Sequence, residues 1–302
     1  MGILPILLSI QSAVSQGILW GIMTLGVYIS YKILDYADLT VEGSFALGGA
    51  VTAVLIINGW SPMLSLFVAL LLGMVAGMVT GFLNTKFKIP AILSGILSMI
   101  ALYSINLSIM GKANIALLGK ETIFTQAQKW FSMITDKSVL SLIIGSVFVI
   151  IIIAILYWFF GTELGSVIRA TGNNEYMVRA LGVNTDRMKI IGLFLSNGLV
   201  ALSGGLIAQN QGYADVGMGT GTIVIGLASV IIGEVIFGRR FNFAYKLFSV
   251  VAGSVIYRII IAAVLQMGLK TTNLKLFTAI IVAIALAIPA MKEKYSKPKL
   301  DI

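Results

Sequence analysis

Apolar stretches of about membrane length alternate with short polar breaks from one end of the chain to the other. A helix crossing a bilayer needs roughly 20 mostly apolar residues. By that measure nine stretches qualify, at about 13–34, 40–57, 62–83, 89–110, 139–160, 190–212, 220–237, 244–266 and 273–291. The second and seventh are the weakest, each opening on glycines after a polar, acidic lead-in. Two longer polar connections remain, 111–138 and 161–189. The pattern predicts an all-α protein: a polytopic transmembrane helical bundle of about nine spans, forming a single transmembrane domain over 1–302.

The two weak stretches echo one another. Residues 36–57 read YADLTVEGSFALGGAVTAVLII and residues 213–234 read YADVGMGTGTIVIGLASVIIGE. Both open on Tyr-Ala-Asp, pass a Gly/Ser/Thr patch and enter a short apolar helix. In a nine-span topology they start from opposite sides, which is the pattern of an inverted repeat with broken helices along a transport route. A chance tripeptide before two glycine-rich helix starts is the plainer alternative.

Composition agrees with the bilayer: 58% of residues are hydrophobic and 11% charged. Cysteine and histidine are both absent. That excludes disulfide frameworks, Cys/His metal sites and thiol or imidazole catalysis. The net charge of +9 does not mark a nucleic-acid face, because the basic residues fall between apolar stretches, where they set topology. With the N-terminus outside, the inner loops and C-terminal tail hold fourteen of the 21 Lys and Arg, and the outer loops six. Four lysines within 111–138 count against this orientation. The opening MGILPILLSI has no charged leader, so no cleavable signal is expected.

Glycines carry two further messages. Gly73, Gly77 and Gly81 share one face of the third stretch, and Gly17 and Gly21 one face of the first; this spacing allows close helix approach. Gly217, Gly219 and Gly221 form a GxGxG run with no βαβ context, so a broken membrane helix explains it better than a nucleotide loop. No GxxxxGK[ST] motif occurs in the chain. Energy for transport must come from another chain or from an ion gradient.

The connection 161–189, GTELGSVIRATGNNEYMVRALGVNTDRMK, is too polar to span. Within it Tyr176, Met177, Ala180 and Leu181 follow a helical spacing, and Gly182 is placed to end the helix. Such a short amphipathic helix either docks a partner or lies on lipid. Gly165, Arg169-Ala170-Thr171-Gly172, Asn174, Ala180-Leu181-Gly182-Val183-Asn184 and Lys189, followed by Ser203-Gly204-Gly205-Leu206, resemble the cytoplasmic loop of the branched-chain amino acid/ribose-type permeases of ABC importers. The resemblance runs from the first span to the ninth. It implies that Glu175, Tyr176, Met177, Val178, Arg179, Ala180, Leu181 and Gly182 form a coupling helix seated in a groove of an ATPase subunit. Leu34-Asp35-Tyr36-Ala37-Asp38-Leu39-Thr40-Val41-Glu42-Gly43-Ser44-Phe45 resembles a subgroup associated with uptake of aromatic amino acids such as tryptophan and tyrosine.

Charges inside apolar spans cost on the order of 2.5–3.5 kcal/mol on insertion scales. Arg258 lies well inside the eighth stretch and is expected to sit in a structural ion pair or at a site. Glu234 is expected to pair with Arg239 and Arg240. Thr40, Glu42, Ser44, Asn106, Thr220 and Thr222 are the candidates for the translocation pathway, with Asn197 and Asp215 behind them. Asn106, Asn197 and Thr222 serve equally well as interhelical glue.

The resulting expectation is a permease with no covalent chemistry and no cofactor of its own, ATP and Mg being on the partner ATPase. It would work as a homodimer in a bacterial inner membrane, with an external solute-binding protein above, lipid around it and no nucleic acid. The solute would be a small molecule, by resemblance an amino acid, for which the subgroup suggests an aromatic one; a nucleoside or sugar, or ion-coupled secondary transport, are the alternatives.

Overall fold

The computed structural model describes residues 3–130, 136–237 and 242–266, with 276–280, 282–283 and 287 beyond them. The chain enters as α1 (Ile3–Tyr28), which runs on through one π-helical turn (Ile29–Ile33). Then come α2 (Thr40–Ile57), α3 (Pro62–Lys86) and α4 (Ala91–Met110). A three-residue strand β1 (Asn114–Ala116) and a short helix α5 (Ile123–Trp130) precede α6 (Lys137–Gly161). Two polar helices, α7 (Glu163–Asn173) and α8 (Glu175–Ala180), lead into α9 (Thr185–Gln211). Strand β2 (Tyr213–Asp215), a 3-10 turn (Val216–Gly219), α10 (Thr222–Phe237) and α11 (Phe243–Gln266) complete it.

Eight helical segments among the described residues are long and apolar enough to cross a membrane. The ninth expected span, 273–291, falls largely outside the described residues, so the count stands at eight rather than nine. Local chemistry sets the boundaries. Ser61 accepts the Leu64 N–H ahead of Pro62, the usual N-terminal pairing of a capping hydroxyl with proline at the first helical position. Gly111 and Gly212 close α4 and α9 in the left-handed region, at φ 66° and 80°.

α9 is the central helix. It is buried for most of its length against α1, α2 and α3. The glycine faces account for how closely these helices pass. A Cβ on Gly77 would lie 2.1 Å from the Leu193 carbonyl oxygen, and one on Gly73 2.4 Å from the Ala201 Cβ. Gly17 and Gly21 meet Val255 and Val251 of α11 in the same way. In lipid there is no solvent-driven force between helices, so this backbone approach supplies the packing. α3, α4 and α6 point Phe67, Phe82, Ile100, Ile150 and Trp158 outward. An apolar belt of this kind, on helices of spanning length, is the surface of a multi-pass membrane protein.

β1 and β2 pair antiparallel, Ile115 opposite Ala214. The pairing requires the 114–116 and 213–215 segments to share one side of the bundle, as the charge-based topology expects. Neither strand was expected: three residues are too few to show a period of two.

Candidate functional site: a junction of broken helices and an exposed polar loop

The two Tyr-Ala-Asp segments end on each other. α2 starts on the α7–α8 side and runs away from it; α10 starts on the β1–β2 side and runs back. At their meeting point Gly221 N–H donates to Glu42 Oε1 at 2.9 Å. Gly219 lies so close to α2 that a Cβ there would sit 1.9 Å from the Glu42 carbonyl oxygen. Gly221 takes φ +87°, which turns the chain into α10 and which a side chain would oppose. The GxGxG run is therefore the device that brings a helix start against a neighbouring backbone.

Below this contact the polar groups are tied to one another. Asp38 Oδ1 accepts the Thr40 N–H and Asp38 Oδ2 accepts from Asn197 Nδ2, at 2.9 and 2.7 Å. Ser44 Oγ donates to Asn197 Oδ1 at 2.7 Å. The hydroxyls of Thr40, Thr80 and Ser98 form a chain with 2.7 Å at each link. Asn106 donates to the Gly43 carbonyl at 3.3 Å, while its buried Oδ1 has no partner among the described residues. A helix that starts inside the bundle exposes N–H groups with no intrahelical acceptor, and Asp38 at the start of α2 and Glu42 ahead of α10 each supply one.

Thr40, Ser44, Asn106, Asn197 and Thr222 are all buried within the protomer. Glu42 is half-buried and Thr220 exposed. Asp215 caps the 3-10 turn by accepting the Gly217 N–H at 2.7 Å. The structure thus brings the candidates from α2, α4 and α10 into one neighbourhood, with only Glu42 and Thr220 at a surface. Asp38, Thr80 and Ser98 belong to the same network. Sequence patterning left them unassigned, because nothing along the chain relates residue 38 to residue 197. Glu234 forms an ion pair with Lys32 at 3.5 Å, whereas the expected Arg239 and Arg240 lie outside the described residues. Arg258 has no carboxylate partner among the described residues; its guanidinium lies 4.0 Å from the centroid of the Trp20 ring.

The second feature is α8. Asn174 caps it by accepting the Met177 N–H at 3.0 Å, and Gly182, at φ +83°, releases the chain after it. Only Val178 turns inward. Tyr176 is 85% exposed, Leu181 74% and Met177 48%, and Ala180 and Gly182 are exposed beside them. The segment is fastened to the start of α9 through Glu175, which accepts from Lys189 at 2.6 Å and from Arg179 at 2.8 Å. Arg179 also donates to Thr185 at 2.9 Å and faces Asp186 at 3.5 Å. Burial would raise the Glu175 carboxyl, but Lys189, Thr185 and Arg179 outweigh it and hold the group below the usual carboxylate range. α8 is therefore an outward-facing apolar knob fastened to a polar base. The connection also holds a separate helix, α7, which the sequence pattern did not resolve.

The chain is similar to known proteins over most of its length. Residues 9–288 match the family described as branched-chain amino acid transport system / permease component. The tyrosine transport system permease protein of Clostridioides difficile is 42% identical over 92% of this chain and 90% of its own length. An uncharacterised protein of Rickettsia prowazekii is 36% identical over 91% of this chain and 96% of its own. The ribose import permease protein of Escherichia coli is more distant, 27% identical over 64% of this chain and 56% of its own. No solved structure matches the chain at a significant level. The chain belongs to the branched-chain amino acid transport system permease family and is a permease component of a transport system.

Proposed function

We propose that this chain is the membrane subunit of an ATP-binding-cassette importer for an aromatic amino acid, with tyrosine the first candidate. The observation that carries the reading is the α8 knob. It is a capped helix of 6 residues, braced by Glu175, that presents Tyr176, Met177 and Leu181 away from the bundle. An isolated helix this short is unstable in water, so its bracing at an exposed position suits a segment that transmits force to a partner. The partner is a separate ATPase that holds ATP and Mg, and an external binding protein delivers the solute. Two copies of this chain in a bacterial inner membrane enclose the route. The 42% identity to a protein named for tyrosine transport supports the substrate class.

In this mechanism, closure of the ATPases displaces α8 and, through Glu175 and Lys189, the start of α9. α9 carries Asn197, which joins Asp38 and Ser44 beneath the Glu42–Gly221 contact. The force so reaches the junction of the two opposed broken helices, which behave as an inverted repeat and open alternately to the two sides. Thr40, Glu42, Ser44, Asn106, Thr220 and Thr222 border the route or the groups that move with it.

Ala180→Trp tests the reading. The side chain is exposed and its backbone helical, so the variant folds and inserts as the parent does. In a groove packed by an ATPase the added volume is not accommodated. Reconstituted with its ATPase and binding protein, Ala180→Trp is expected to lose solute-stimulated ATP hydrolysis. Full stimulation would remove α8 from the coupling surface. Gly182 is the poorer probe, since any side chain there is strained at φ +83°.

A further inference from the structure

At the end of the bundle opposite α8, the α1, α6, α9 and α11 helices enclose a cavity of about 300 Å³. Its wall carries two cations, Arg258 and Lys137, with Asn210, Ser12 and Gln16 among the neutral polar groups and, among the described residues, no carboxylate. Arg258 projects from α11 well inside the apolar belt. Among the described residues its buried Nε has no hydrogen-bond partner and the guanidinium no ion pair. The Trp20 face offsets part of that charge, but it does not replace the in-plane acceptors that the five N–H groups of an arginine call for. Asn210 Oδ1 is occupied by the Ser141 hydroxyl at 2.7 Å, which orients the amide and leaves its NH₂ as a further donor.

We infer that this cavity is an oxyanion site, which takes a phosphate or carboxylate group between the Arg258 guanidinium, the Lys137 ammonium and the Asn210 amide. The reasoning is one of complementarity. A buried charge needs pairing, the cavity wall supplies donors and no anion, and planar guanidinium matches an oxyanion in two-pronged fashion. Lys137 stands in the first turn of α6, where the spanning segment meets the polar connection, so the mouth lies at headgroup level. The group therefore comes either from the headgroup of an anionic phospholipid or from a free ion. None of the cavity's lining residues belongs to the Glu42–Gly221 contact or to α8, so the inference does not rest on the transport reading.

Trp20 serves as the reporter. Trp60, Trp130 and Trp158, all exposed, are changed to Phe so that Trp20 is the sole indole of the full-length chain. Its fluorescence is followed in phosphatidylcholine bilayers with rising fractions of phosphatidylglycerol, and in phosphatidylcholine alone with added inorganic phosphate. A saturable change with either probe is expected, weakened about tenfold or more in Arg258→Gln and about threefold in Lys137→Gln, in line with loss of charge-assisted bonds. Response to the lipid alone identifies a headgroup; response to phosphate alone identifies a free oxyanion. Should Arg258→Gln not fold, Lys137→Gln decides, because that side chain is exposed at a helix start. Absence of a response to both probes, or parental response in the variants that fold, overturns the site.

Discussion

At the scale of single residues, the bundle depends on what is missing from its glycines. Where Gly77 of α3 crosses α9, a Cβ would approach the Leu193 carbonyl oxygen to 2.1 Å, and backbone cannot step aside as a flexible side chain can. Gly77→Ala is expected to destabilise the protein by about 1–3 kcal/mol, as overpacking does. Gly161, at the end of α6, has open space around it. Gly161→Ala should be neutral or slightly stabilising, by up to about 1 kcal/mol. Thermal unfolding of the two variants in the same detergent makes the comparison; equal midpoints would refute close contact at the α3–α9 crossing. Asn197 shows the opposite economy, one amide serving Asp38, Ser44 and the Leu193 carbonyl at once. The glycine spacing was legible in the sequence because helix periodicity places i and i+4 on one face. The Asn197 network was not, since its members lie 153 and 159 residues apart.

At the scale of elements, α8 holds its shape through Glu175. Because that carboxyl is held below its ordinary value in the folded chain, its contribution is complete above the unfolded pKa of about 4.3. It is lost only as pH falls from there through the lower folded value. Amides of residues 177–181 are therefore expected to keep constant protection, after correction for intrinsic exchange, between neutral pH and about pH 5, and to lose it in stronger acid. Glu175→Gln should lower their protection at neutral pH to a degree worth about 1 kcal/mol, the scale of a partly exposed ion pair. An unchanged exchange profile in that variant would show that Lys189 and Arg179 do not brace the helix. The sequence marked this segment through its polarity and through Gly182. Which side its apolar residues take was decided by Val178, the one that finds a pocket in the fold.

For the whole molecule, the β1–β2 pairing and the α7–α8 loop define two ends, and the chain has no cysteine to interfere with labelling. Leu118→Cys and Tyr213→Cys, both exposed, are expected to react with an impermeant thiol reagent from the same side of intact cells, the outside. Phe87→Cys and Tyr176→Cys, also exposed, should react only after the membrane is opened. Labelling of Leu118 and Tyr213 from different sides would contradict the pairing, and labelling of Tyr176 from outside would invert the molecule and separate α8 from any cytoplasmic ATPase. The spans were legible nearly to the residue for Thr40–Ile57 and Ala91–Met110, since a bilayer demands internally satisfied backbone and a length of apolar chain.

What the sequence determined by itself was the class of protein, eight of the spans and the place of the exposed polar loop, all set by local rules: hydropathy over a fixed thickness, glycine spacing on a helix face, polarity that forbids burial. The tertiary structure alone decided which helix starts meet. Glu42 and Gly221 are 179 positions apart, and their contact exists because two helices begin inside the bundle and must find acceptors for their first N–H groups. It likewise decided that Arg258 faces Trp20 and a cavity instead of a carboxylate. Partner choice among buried polar groups depends on packing geometry in three dimensions, which no one-dimensional period records.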